Sequence, residues 1–279
     1  MQVLEAAVGQ SANPWPLRRE RATELMNRYP HAAEMLRLYR ALMPVQERAY
    51  SDSLPLWRRA GWGQEIPQFV ADKVLPGVID VTVSSGPAKL RDGVISVFCT
   101  ADLPGLIGKW LDQQSLDPFE TYLARASASP VLEAAVQWTE SADDERSSPS
   151  DGGPDGGSLC PKCHGLPQVS YFSVTGETLL TGPRYLVCSR CSNNWIFSRM
   201  TCAGCGESDG NKLPIYQEEE QFPHVRVDGC RTCKRYLLTF DLRRDTRAVP
   251  IVDELAALPL DLFARDQGLT KITPNLMGN

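Results

Sequence analysis

Eight of the nine cysteines fall into four CxxC pairs: Cys160/Cys163, Cys188/Cys191, Cys202/Cys205 and Cys230/Cys233. Two cysteines separated by two residues sit on one tight turn with both sulfurs aimed at a common centre, and a second such turn completes a tetrahedron of thiolates around a divalent ion. The spacing between pairs says which four belong together. Cys163 and Cys188 enclose 24 residues, Cys205 and Cys230 enclose 24, and the first four cysteines map onto the second four by a single offset of 42. Arg184 and Arg226 coincide at the same offset. The array reads as an internal duplication holding two metal ions, one on Cys160, Cys163, Cys188 and Cys191, the other on Cys202, Cys205, Cys230 and Cys233. All-thiolate tetrahedra suit iron and zinc alike, so the cofactors expected are iron or zinc. Four protein ligands leave no open position for a substrate or an activated water, which disfavours catalysis at the metal. No Ser/His/Asp arrangement, phosphate loop or HExxH pattern is visible either, and the chain reads as a binding protein rather than an enzyme.

Each unit of about 40 residues is too poor in apolar sequence to fold alone, and the free energy of coordination by ionised thiolates becomes folding free energy. Gly165 and Gly206 stand just past the second cysteine of their pairs, where positive φ is expected. β-rich runs at Tyr185-Leu186-Val187 and Asn194-Trp195-Ile196-Phe197 frame the second knuckle of the first unit, and Val225-Arg226-Val227 and Tyr236 to Phe240 frame that of the second. Each repeat therefore reads as a small antiparallel ribbon. Residues 159–247 carry 12 basic and 9 acidic residues, the only net basic stretch of a chain at −5. Two sites at −2 each bring that stretch to about −1 once thiolate charge is counted. Arg184, Arg190, Arg226 and Arg231 are near enough in sequence to offset it, and no nucleic-acid groove is required.

The elements around this array are legible to different degrees. Ala32, Met35, Leu36, Leu38, Tyr39, Leu42 and Met43 recur at helical spacing, which predicts a helix over Pro30–Met43 that Pro44 ends. A second helix is expected from Leu103, behind an Asp102 N-cap, to about Arg125, and a third from Pro130 to about Glu140. Val94 to Cys99 reads as one buried strand or helix turn, with Cys99 a buried small hydrophobe. His31 and His224 are expected to be structural or solvated. Residues 141–158, SADDERSSPSDGGPDGGS, read as a flexible linker. Leu255, Leu258, Leu262 and Phe263 mark a helix over Asp253–Gln267, interrupted by Pro259 and closed by Gly268, before an extended tail. The fold class is α+β: a mainly helical N-terminal domain (1–140), the linker (141–158), two tandem metal-binding modules of zinc-ribbon type (159–201 and 202–247), and a C-terminal helix and tail (248–279). Hydrophobic content of 42% and charged content of 23% over 279 residues fit a soluble globular chain. Neither a spanning segment nor a signal-peptide pattern is seen, so a cytoplasmic location is expected, where thiols stay reduced.

Tyr185-Leu186-Val187-Cys188-x-x-Cys191, followed by Trp195, Arg199, Cys202 and Cys205-Gly206, resembles the FdhE family of formate dehydrogenase accessory proteins. Asp261-Leu262 through Gly268 and Thr273-Pro274-Asn275-Leu276 look like that family's C-terminal stretch. The resemblance covers the cysteine region and the tail, about 120 residues, and the 141–158 linker is longer and more acidic than the family leads one to expect. It implies a cytoplasmic factor with rubredoxin-like sites on the same eight cysteines. Such a factor binds the catalytic (large) subunit of a respiratory formate dehydrogenase before export and promotes its maturation or activation. The partners so implied are that subunit, with no nucleic acid and no membrane insertion, and a homodimer is left open. Two other readings stand beside it. A zinc-ribbon nucleic-acid binder is disfavoured by the weak basic excess. A thiol redox protein using one CxxC lacks the βαβ pattern that usually surrounds that motif.

Overall fold

Apolar residues at helical spacing build α1 (Trp15–Arg28) and α2 (Ala33–Ser53), which pack on each other. The computed structural model describes residues 13–59, 61–143, 157–173 and 182–278. Contrary to the sequence expectation, α2 does not stop at Pro44 but runs on to Ser53. A proline inside a helix costs about 3 kcal/mol, and here Met43, Gln46, Ala49 and Tyr50 are all buried on either side of it, which offsets that cost. α3 (Trp62–Phe69) passes through a π-helical turn, Val70–Val74, into α4 (Leu75–Ser85), and α5 (Ala88–Thr100) and α6 (Leu103–Leu111) follow. Val94–Cys99 is thus helical. Val94 and Val97 face inward, whereas Ile95, Phe98 and Cys99 are exposed, so Cys99 is not the buried hydrophobe its apolar neighbours suggest.

The helix expected from Leu103 to Arg125 is two helices. Gln113 takes a positive φ of 59° between them, and Asp117 restarts the chain as α7 (Pro118–Asp143). Asp117 accepts from the N–H groups of Phe119 (2.7 Å) and Glu120 (3.0 Å), while Glu120 accepts from Asp117 N–H (3.1 Å), a reciprocal capping box with proline at the first helical position. The separate helix expected at Pro130 is the continuation of α7. Pro130 has no N–H to give the carbonyl four residues back, Ala126 O, and Gln46 Nε2 from α2 donates to that oxygen instead at 2.9 Å.

Among the described residues the cysteine-bearing half forms one seven-stranded sheet. β1 (Pro167–Phe172), β2 (Arg184–Cys188) and β3 (Asn194–Phe197) make an antiparallel meander, and β4 (Ile215–Gln217), β5 (Val225–Gly229) and β6 (Arg235–Asp241) make another. The two ribbons are joined by parallel pairing of β1 with β6, Val169 against Leu238 through Phe172 against Asp241, giving the order β3-β2-β1-β6-β5-β4. α8 (Pro250–Ala256) and α9 (Leu258–Asp266) are separated at Ala257, with Pro259 in the first turn of α9, and Gly268 closes α9 at φ 72°. β7 (Thr270–Lys271) then pairs with the start of β6.

One apolar core runs from α1 and α2 through α8 into the sheet: Trp15, Leu25, Leu36 and Met43 share it with Val169, Val227, Leu238, Phe240 and Val252. A second core fills the helical part alone, on Leu42, Val70, Val78, Ile107 and Leu123. Buried polar contacts cross the same boundary. Arg125 of α7 hydrogen-bonds Gln168 of β1, which reaches Glu254 of α8, and Lys271 Nζ lies 2.7 Å from Glu254 Oε1 and 2.9 Å from Asp261 Oδ2. Linker residues 144–156 lie outside the described residues. Among the described residues no single helix is long and apolar enough to cross a membrane.

Replacing Gln46 with leucine leaves the buried Ala126 carbonyl without a donor. The expected cost is about 1–3 kcal/mol, read as a lower urea midpoint with an unchanged slope.

Candidate metal centres

All four CxxC turns share one backbone arrangement. The N–H of the leading cysteine donates to the carbonyl five residues on: Cys160 to Gly165 (2.9 Å), Cys188 to Asn193 (2.9 Å), Cys202 to Glu207 (2.8 Å) and Cys230 to Arg235 (2.9 Å). To close that turn, the residue directly after the trailing cysteine goes left-handed: His164 at φ 56°, Ser192 at 54°, Gly206 at 77° and Lys234 at 56°. Gly206 meets its expectation, but in the first turn the positive φ falls on His164, not Gly165. Gly165 is needed for another reason. A Cβ there would lie 2.9 Å from Cys188 Sγ and 2.9 Å from Arg190 Cδ, so the backbone must stay bare beside the sulfur.

The strands carry these turns to common points. Cys160, Cys163, Cys188 and Cys191 converge in one group, and Cys202, Cys205, Cys230 and Cys233 in another, each with its four sulfurs within 4.8 Å of one another. The Sγ pairs Cys160–Cys191, Cys163–Cys188, Cys202–Cys233 and Cys205–Cys230 stand at 3.7, 3.4, 3.8 and 3.7 Å. A tetrahedron with metal–sulfur bonds of about 2.3 Å has an edge of about 3.8 Å, so both groups have the dimensions of a four-thiolate site and each can hold one ion. Backbone N–H groups point at the sulfurs, from Arg190 to Cys188 Sγ (3.4 Å) and from Gly204 to Cys202 Sγ (3.3 Å). The side chain of Asn193 adds a contact of 3.7 Å to Cys160 Sγ.

The electrostatics fit the same occupant. Hydrogen bonds from Cys163, Cys188 and Cys191 push the Cys160 thiol far down, while the bonds to Cys160 and then Cys163, ahead of burial, push Cys188 and Cys191 far up. One ionised sulfur thus suppresses ionisation of its neighbours, and only a cation in their midst lets all four ionise. Of the arginines expected to balance such charge, Arg190 stays at the first group, its side chain held by the carbonyls of Trp110 (3.0 Å) and Leu111 (2.8 Å) and its guanidinium 4.6 Å from the Trp110 ring. Arg184 and Arg226 pair with Asp228, at 3.2 and 2.8 Å, Arg184 also donating to the Thr201 carbonyl beside Cys202 at 3.2 Å, and Arg231 reaches the Asn211 carbonyl. Arg125, which no local pattern singles out, is buried at 9% exposure with Cys188 among the charges it feels.

The two groups differ in cover. In the first, Cys160, Cys188 and Cys191 are buried against Leu132 and Val136 of α7 and against Trp195. In the second, Cys205 is exposed and Cys233 half-buried. There Glu207 ties the two turns together, accepting from Thr232 Oγ1 (2.6 Å) and pairing with Lys212 (3.2 Å), and the Thr232 bond above all draws its carboxyl down to about 2. A third cluster, His224, Asp245 and Asp253, was not foreseen as a group. Arg21 fills it, with Nε 2.9 Å from Asp253 Oδ2 and Nη2 2.7 Å from Asp245 Oδ2, so it is an ion network clamping α1 to α8. Beside the first cysteine group a cleft of about 960 Å³ opens between the helices and the C-terminal tail, walled by Trp110, Phe119, Ser189, Arg190, Leu276 and Met277.

Two measurements check this geometry. Gly165→Ala lowers the metal content of the purified chain from two equivalents toward one by elemental analysis. Gly206→Ala, strained by roughly 1 kcal/mol at positive φ but with open space for its Cβ, keeps both. A coloured chelator withdraws metal in two phases, the fast one from the open group, and Cys205→Ser abolishes the fast phase.

Comparison with known proteins agrees with this picture. Residues 159–199 match the family model of the FdhE central domain and residues 200–277 that of the FdhE C-terminal domain. A protein FdhE homolog of Aquifex aeolicus is 34% identical over 119 residues, 43% of this chain and 41% of the relative. One of Pseudomonas aeruginosa is 33% identical over 122 residues, 43% of this chain and 39% of the relative. The matched segment thus spans about two fifths of these curated relatives. The crystal structure of the FdhE protein from Pseudomonas aeruginosa has the same fold over 96% of both chains, at 22% identity and a TM-score of 0.65. Residues 159–277 thus match the FdhE central and C-terminal domain models in succession, and the chain shares the fold of that solved structure along nearly its whole length.

Proposed function

We propose that the chain is an accessory protein of formate dehydrogenase that binds the enzyme's catalytic subunit in the cytoplasm and promotes its maturation or activation. It carries one iron or zinc ion on Cys160, Cys163, Cys188 and Cys191 and another on Cys202, Cys205, Cys230 and Cys233, and it is not itself an enzyme. The observation that carries this reading is the pair of closed four-sulfur groups, of tetrahedral dimensions, within FdhE domains. Four thiolates fill a tetrahedral ion's coordination, so the ions lend structure or pass electrons and do not activate water. The first ion, under α7, fixes the sheet to the helices. The second, with Cys205 exposed, is the one within reach of a partner. The cleft beside Arg190 has the size and mostly apolar wall of a site for a segment of that partner.

A strain deleted for this chain is expected to lose formate oxidation, and the tagged chain to copurify with the formate dehydrogenase large subunit. Unchanged formate oxidation in the deletion strain sinks the reading. Elemental analysis of anaerobically purified protein, with its absorption spectrum, separates a coloured iron site from colourless zinc.

A further inference from the structure

Phe172, at the end of β1, is 3% exposed, yet among the described residues it joins none of the apolar clusters. Its cover is cationic. The guanidinium groups of Arg199, Arg226 and Arg243 lie 4.4, 4.7 and 5.7 Å from its ring centroid. They arrive from three places in the chain, Arg199 after β3, Arg226 on β5 and Arg243 after β6.

The carboxylates nearby do not balance them. Asp228 is shared by Arg184 (3.2 Å) and Arg226 (2.8 Å), and Asp241 is taken bidentately by Arg243 at 2.7 and 2.6 Å. Arg199 has no carboxylate partner among the described residues. Burial, then the repulsion of Arg243 and Arg226, lower its pKa. Among the described residues four guanidiniums face two carboxylates, Arg184 over Phe197 and the other three over Phe172, which leaves an excess of two positive charges in the network. An aromatic face attracts each cation, but it does nothing for their mutual repulsion. The cluster has no copy within either repeat. At the offset of 42, Phe172 corresponds to Pro214 and Arg199 to Asp241, so the cluster exists only at the seam where β1 meets β6. The strand register puts Phe172 at the end of β1 away from the Cys160 and Cys163 turn, opposite Arg184 where β2 enters before leaving at Cys188.

We propose that Arg199, Arg226 and Arg243 form a binding site for a phosphate-class dianion, either inorganic phosphate or the terminal group of a phosphate monoester. A guanidinium presents a planar fork matched to oxyanions. A carboxylate offers two oxygens and one charge, whereas a phosphate monoester offers three oxygens and close to two charges, which suits three forks and an excess of two. Phosphodiesters bring one charge each and are held by long basic tracks, and this cluster is compact.

The test is calorimetric titration of the full-length, metal-loaded chain at constant ionic strength with inorganic phosphate, phenyl phosphate, dimethyl phosphate and glutarate. Saturable one-site binding of the first two is expected, with the diester and the dicarboxylate at least about tenfold weaker. The tighter of inorganic phosphate and phenyl phosphate identifies the free ion or the ester as the natural source. Arg199→Gln and Arg243→Gln each weaken phosphate binding about tenfold or more, while Arg37→Gln, at an exposed position of α2, leaves it unchanged. The proposal is overturned if the wild type shows no saturable binding, if R37Q weakens it as much as R199Q, or if glutarate, an acidic peptide or an oligonucleotide binds more tightly than the phosphates. Should R199Q or R243Q fail to fold, the wild-type selectivity series decides alone.

Discussion

β1 and β6 run parallel from Val169 and Leu238 to Phe172 and Asp241, and most of the arrangement around the cysteines follows from that one pairing. Each repeat alone is a three-stranded meander that its sequence can specify. Laying them side by side in the same sense puts both sulfur groups at one end of the sheet and leaves a single face for α1, α2 and α8 to cover. A buried polar chain holds the seam. Ser170 and Thr239 meet across it at 2.6 Å, Arg184 Nε donates to Ser170 at 3.1 Å, and Thr239 donates to Asp228 at 2.6 Å. Asp228 in turn receives both arginines that share a position in the duplicated sequence. Both arginines serve the junction of the repeats, Arg184 also feeling the charge of Cys202, and unpaired polar atoms at that depth carry a high desolvation penalty.

The sulfur groups place a second constraint on the fold. Four thiols at about 3.7 Å resist joint ionisation, so the geometry that the backbone turns impose is favourable only with a cation present. Coordination and folding are then one equilibrium for this half of the chain. The helical half differs. It owns a full apolar core on α2 to α7, and it meets the sheet through α1, α2 and α7.

The duplication, the grouping of the eight cysteines and the strands flanking the knuckles were legible because thiolate chemistry demands fixed local spacing. So was the C-terminal break, since Pro259 and Gly268 act through backbone conformation alone. What was not legible depended on distant partners. Pro44 and Pro130 look like helix ends, and nothing local says that burial carries α2 past the one or that Gln46 mends the other. The break before α7 did have a local signal, Asp117-Pro118-Phe119-Glu120, that the apolar periodicity masked. Cys99 looked buried by its neighbours' hydropathy but sits on the outer face of α5. Arg125 acts across 43 residues of sequence and the arginines over Phe172 across 27 or more, and no spacing rule reaches that far.

The two meanders are related by a shift along the sheet and not by a twofold axis, and that choice reaches beyond architecture. A twofold pair gives its halves identical surroundings and holds them alike until mutations separate them. A shifted pair meets a different neighbour on each side from the moment the segment is doubled: here one copy finds α7 and the other finds solvent. Repetition of one ribbon by translation is therefore enough to supply one covered four-sulfur group and one accessible group from the same set of knuckles.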